Sequence, residues 1–185
     1  MKKVFKFLIF LGISYGGIYF ALSSTEAGVL VLQAAAQKNN KFLTGLFVSL
    51  GADVNAKNAE GLTPLHVAAF LDSDRAIEEL IAKGGDVNAA DNEGRTPLHL
   101  AAYSGNAQAV KTLVQNGANL EATEKTNGMT ALHLAVVKGS MEAVSILVGK
   151  GADVNANAKN DVTPLLIADS EGKQAIADFL IDNGA

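Results

Sequence analysis

An all-α solenoid, made of stacked helix-turn-helix units with projecting turns behind an N-terminal hydrophobic segment, is the fold class that the sequence predicts. Three observations predict it. Thr63-Pro64-Leu65-His66 recurs as Thr96-Pro97-Leu98-His99, Thr130-Ala131-Leu132-His133 and Thr163-Pro164-Leu165-Leu166, at spacings of 33, 34 and 33 residues. A second motif keeps the same phase: Gly51-Ala52-Asp53-Val54-Asn55, Gly84-Gly85-Asp86-Val87-Asn88, Gly117-Ala118-Asn119-Leu120-Glu121 and Gly151-Ala152-Asp153-Val154-Asn155, with a final Gly184-Ala185. Periods of this length mark repeat architectures. Composition agrees: the chain is 49% hydrophobic but only 6% aromatic, so its core must come from Leu, Val, Ile and Ala.

The N-terminal segment comes first. Lys2, Lys3 and Lys6 precede an uncharged, largely apolar run from Phe7 to Leu22, and Ser23-Ser24-Thr25-Glu26 follows. A basic start, an apolar stretch and small residues after it are the parts of a secretory signal, and Ala21 with Ser23 suits cleavage after Ser23. The run falls just short of the roughly 17–25 residues of a spanning helix, although Val4 and Phe5 would extend it if Lys6 snorkelled. Residues 1–23 are therefore expected to be a cleaved signal peptide or an uncleaved membrane anchor. Length and the small residues favour cleavage. The positive N-terminus sets the same orientation in both cases, so the repeats are expected to be exported, either periplasmic or secreted or anchored outside the cytoplasm.

Residues 24–57 read as a linker and a divergent N-terminal capping unit. Leu30 to Ala36 aligns with the first helix of a unit but lacks Thr-Pro, and Phe42 to Leu50 serves as the second helix. Four units follow, at about 58–90, 91–124, 125–157 and 158–185. In each, Thr suits a helix N-cap and Pro the first helical position, where a missing N–H is harmless. The helix beginning at Leu98 stops near Ser104-Gly105-Asn106. A second follows with Val110, Leu113 and Val114 on one face, and Gly117 supplies its C-terminal cap. Asn/Asp/Gly-rich stretches such as Asn88 to Gly94 are turn material. The extra residue of the third unit falls between Glu121 and Gly128. Alanines 68, 69, 101, 102 and 135 let helices approach, and a pair this small must stack on its neighbours. In the last unit Ile176, Phe179, Leu180 and Ile181 are expected to pack inward.

These units resemble the ankyrin repeat, through Thr-Pro-Leu-His, the Ala-Ala pair, the Gly two residues later and Gly-Ala-Asp-Val-Asn. The resemblance covers about Leu30 to Ala185. Departures are local: Asp72 stands for the mid-unit Gly, Asp161 for the turn Gly, and Ala131 and Leu166 break the fourfold motif.

Several chemistries are excluded or disfavoured. With no cysteine there is no disulfide, thiolate site or Cys nucleophile. Without residues 1–23 the chain carries 12 basic and 19 acidic side chains, a net of −7 with no basic cluster, so nucleic acid is not an expected partner. Stacked units about 10 Å apart hold His66, His99 and His133 too far apart to share one metal ion. The row reads as hydrogen-bonding between units, and metal-dependent or enzymatic activity from it is the weaker alternative. Asp86, Asn88, Asp91, Asn92 and Glu93 lack the spacing of a calcium loop. Glu78 and Glu79 read as a solvated helix face. No catalytic residue, metal or cofactor is expected.

The ankyrin resemblance implies binding of another protein through turn tips and the adjoining ends of the first helices, on a concave face. Carried onto this sequence, the candidate partner-binding residues are Leu62, Phe70, Asn92, Glu93, Arg95, Tyr103, Ser104, Met129, Val137 and Lys138. Phe70, Tyr103 and Val137 occupy equivalent places; Leu62, Met129 and Val162 form a second row. Tyr103 and Arg95 are the expected anchors, removable with little effect on thermal unfolding. A membrane-anchored structural scaffold, with the hydrophobic segment retained, is the alternative function; the membrane is a partner only through residues 1–23, if they are uncleaved.

Overall fold

The computed structural model describes residues 26–185, and over them the chain is ten α-helices in five pairs. The pairs are α1 (Glu26–Gln37) with α2 (Lys41–Ser49), α3 (Pro64–Phe70) with α4 (Asp74–Ala82), and α5 (Pro97–Ser104) with α6 (Ala107–Gln115). Then come α7 (Ala131–Lys138) with α8 (Met141–Gly149), and α9 (Pro164–Ser170) with α10 (Gln174–Asp182). No strand occurs among the described residues. The segment expected to be signal or anchor, residues 1–23, lies outside the described residues. Among those described, no helix is long and apolar enough to cross a membrane.

The odd-numbered helices pack on one another in one layer and the even-numbered helices in a second. Ala68, Ala69, Ala101, Ala102 and Ala135 are fully buried where the inner helices meet, because only a methyl group fits at so short a separation. Leu65, Leu98 and Leu132 point between the layers, and Ile77, Val110, Leu113, Val144 and Leu147 close the core from the outer helices. Helix α1 is described from Glu26, and its 12 described residues already exceed the length of the other inner helices. In α10, Ile176 and Leu180 are buried as expected, but Ile181 is 54% exposed, since no other described helix covers it.

The mid-unit turn needs a left-handed residue. Gly105 (φ 76°) and Gly139 (φ 78°) supply it, and Asp72 (φ 55°) and Asn39 (φ 47°) adopt the same conformation without being glycine. Their side chains supply the reason. Asp72 Oδ1 accepts the Ala109 N–H at the start of α6 (3.0 Å), and Asn39 Oδ1 accepts those of Arg75 and Ala76 at the start of α4. Each thus caps the outer helix of the next unit, satisfying N–H groups that the helix itself leaves free. The turn keeps its shape at Asp72.

Candidate functional site

The histidines show what the repeat does chemically. Nδ1 of His66, His99 and His133 accepts the N–H of Thr63, Thr96 and Thr130 at 3.1, 3.1 and 3.2 Å. Nε2 therefore carries the proton, and it donates to the carbonyl of Arg95, Met129 and Val162 in the following unit, at 2.9, 3.1 and 3.0 Å. Gln33 extends this ladder into the first pair, its Nε2 donating to the Leu62 carbonyl at 3.2 Å. Burial pushes all three imidazoles below their ordinary value of 6.5. Both nitrogens of every ring are engaged, and among the described residues no three His, Asp or Glu groups converge as metal ligands.

The turn tips are organised from their first residue. Asn58 Oδ1 accepts the N–H groups of Glu60 and Leu62. At the equivalent place Asp91 Oδ1 accepts those of Glu93 and Arg95. Glu124 accepts those of Thr126, Asn127 and Met129. The third turn is the one with the extra residue, and Glu has the extra methylene to reach across it. Burial pushes the Glu124 carboxyl up, but the Met129, Asn127 and Thr126 donors outweigh it and hold the group below its ordinary value of 4.5. The fourth turn starts at Ala158, which has no such acceptor; there Asn160 and Asp161 both turn left-handed, at φ 60° and 58°. Asp161 so keeps the handedness of the glycine it replaces. Successive tips are joined by backbone bonds, Asn92 N–H to the Glu60 carbonyl, Lys125 to Glu93 and Lys159 to Asn127.

Against this frame the ten candidate residues divide. Phe70 and Tyr103, at the C-terminal ends of α3 and α5, are 48% and 55% exposed, and Leu71 beside them is exposed as well. Val137 holds the equivalent place in α7 but is half-buried against the core. The expected second row does not form an exposed stripe: Leu62, Met129 and Val162 are half-buried, the last two packed on the core. Their carbonyls receive the ladder bonds, which draws these residues inward. Asn92, Glu93 and Lys138 are exposed. Ser104 is half-buried, and its Oγ has no hydrogen-bond partner among the described residues.

Arg95 is not a free anchor. Its Nε and Nη2 both lie 2.8 Å from Oδ2 of Asp91, whose side chain is wholly buried. That pairing argues against its expected dispensability for folding. An Asp four residues before an Arg in a turn was the available signal.

The geometry is that of stacked helix pairs tied by an imidazole ladder, and a family model described as ankyrin repeats (3 copies) matches residues 31–124 and again 121–185. The chain belongs to the ankyrin-repeat family. Ankyrin repeats generally serve as protein–protein interaction modules. No curated protein matches this ankyrin chain. One feature of the ankyrin array was not foreseen, an open groove of about 420 Å³ between α6 and α8, lined by Gln108, Lys111, Glu142 and Ser145 among others. It holds none of the ten candidates.

Proposed function

We propose that this ankyrin array binds another protein through the concave face implied for its family, centred on Phe70, Leu71 and Tyr103 and bordered by Asn92, Glu93 and Lys138. Binding is rigid presentation of a preformed surface, with no chemical step. The observation that carries the reading is the exposure of two aromatic rings at equivalent places on neighbouring helices. Aromatic side chains offer large contact area for little conformational entropy and dominate binding hot spots. Export, as periplasmic, secreted or membrane-anchored protein, is part of the same reading and is supported by the basic and apolar pattern of residues 1–23.

Replacing Phe70 and Tyr103 together with alanine tests the surface. We expect capture of a specific protein from the exported fraction to be lost at least tenfold, with the urea midpoint nearly unchanged. A large fall in stability with capture intact would remove the two rings from the interface. The mass of the mature N-terminus separates a cleaved signal from a retained anchor, and retention would make the module a membrane-anchored scaffold.

A further inference from the structure

The first helix pair differs from the rest in charge and in what it leaves uncovered. No acidic residue lies between Glu26 and Asp53, whereas Lys38 and Lys41 do. From Asp53 to Ala185 there are 10 basic and 18 acidic side chains, a net of −8. The molecule is thus a strongly acidic array with a basic end. Lys38 is exposed, and Lys41, 56% exposed, has only a long 3.8 Å contact with Glu79.

That end is also apolar. Phe42 is 74% exposed and Leu46, one turn further along α2, is exposed too, as is Leu30 on α1. Gly45 and Lys41 face α4 through Glu79, and Thr44 and Phe47 are buried. At 100° per residue, Phe42 and Leu46 then stand on the side of α2 turned away from both neighbours. Exposed Phe and Leu flanked by Lys, with the carboxylates of Asp74 and Glu79 on α4 already engaged by Asn39 and Lys41, is the chemistry of a surface that settles into the headgroup region of an anionic bilayer.

Chain length argues for the same occupant. The apolar run closes at Leu22 and α1 is under way by Glu26, so the chain between those residues spans at most about 14 Å. If residues 1–23 hold the chain at a membrane, the first helix pair cannot be far from it. Because the helices lie across the direction of stacking, seating the end pair on the surface lays α1 and α2 along the bilayer plane. The net −8 of the remainder, repelled by anionic lipid, turns the array outward.

We infer that the outer side of the first helix pair, with Phe42, Leu46, Lys38 and Lys41, is a lipid-contacting surface that seats the array upright on an anionic membrane. The inference rests on the export reading and goes beyond it. The chain has no cysteine, so single thiols report position cleanly. Full-length chains carrying Phe42→Cys, Leu46→Cys or Ile181→Cys, each labelled with an environment-sensitive dye, are made in the presence of phosphatidylcholine–phosphatidylglycerol vesicles containing a nitroxide lipid. Quenching at positions 42 and 46 is expected to exceed that at 181 several-fold, and to fall when phosphatidylglycerol is omitted. Quenching at 42 and 46 equal to that at 181, in chains that float with the vesicles, overturns the inference and leaves the anchor reading standing. Oxidative cross-linking of Phe42→Cys chains to one another in those vesicles would put a second copy on the surface and overturn it too. If the mature protein is found to begin at Ser24, the anchor reading fails by itself. The same quenching ratio, measured on that mature chain, then decides the lipid contact alone.

Discussion

Asp91 closes the second turn with a carboxylate whose every bond is to groups within four residues of it. Removing Arg95 takes away both guanidinium contacts and leaves a buried charge held only by backbone donors. Arg95→Ala is therefore expected to destabilise the protein by about 2 kcal/mol, read as a lower urea midpoint at constant m-value. The histidines give a second prediction at this scale. Their folded values lie below 6.5 because burial disfavours the cation, so below that pH the unfolded chain binds protons that the folded one refuses. Stability is complete above about pH 6.5 and declines as pH falls toward the folded values, by up to about 1.4 kcal/mol per pH unit for each histidine still neutral. Glu124, held below 4.5, adds a separate loss beginning at lower pH. Urea titrations of the parent and of His99→Gln at several pH values should show a shallower decline in the variant between pH 6.5 and 5. Gln is the apt replacement because Gln33 already makes the equivalent bond. The histidines' role between units was legible from recurrence alone, whereas the Asp91–Arg95 pair was not, since repetition says nothing about the one unit that carries it.

Among the elements, the inner helices are spaced by alanine. Ala102 in α5 has no exposed surface where α5 meets its neighbours α3 and α7. Ala102→Leu adds three carbons where there is no room for them, and overpacking of this kind costs about 1–3 kcal/mol. A fall of that size in the urea midpoint is expected, and an unchanged midpoint would mean that the layers yield more easily than their packing suggests. Helix starts, stops and turn signals were read directly from Thr-Pro, the glycines and the Asn/Asp runs, because those residues act through local geometry. The exposure of individual tip residues was harder to read. Leu62, Met129 and Val162 look like an outward apolar row in the sequence, and Val137 like part of another, but ladder bonds and core packing draw them in. Phe70 and Tyr103 remain outside, whereas Val137 at the same place on α7 packs against the core.

For the whole molecule, each pair is supported only by its neighbours, so stability is a sum of pair and interface terms. Among the described residues the first and last pairs have one neighbour each, and the first buries a smaller cluster around Leu32 and Phe47. Backbone amides of α1, α2 and α10 are expected to exchange faster than those of α5 to α8, as measured by hydrogen exchange with mass spectrometry. Uniform protection across the array would contradict this additive picture. The repeat architecture was legible over its whole length because both motifs keep step, but the basic and apolar character of the first pair lies in a unit that departs from the pattern. The ladder also runs one way along the chain. Gln33, His66, His99 and His133 all give a proton forward to the next unit's carbonyl, and Leu166, at the corresponding place in the last pair, has none to give. The array thus has a sending end and a silent end. A builder wishing to lengthen it beyond Ala185 would first have to restore speech at Leu166, by histidine or glutamine, before another unit could be addressed.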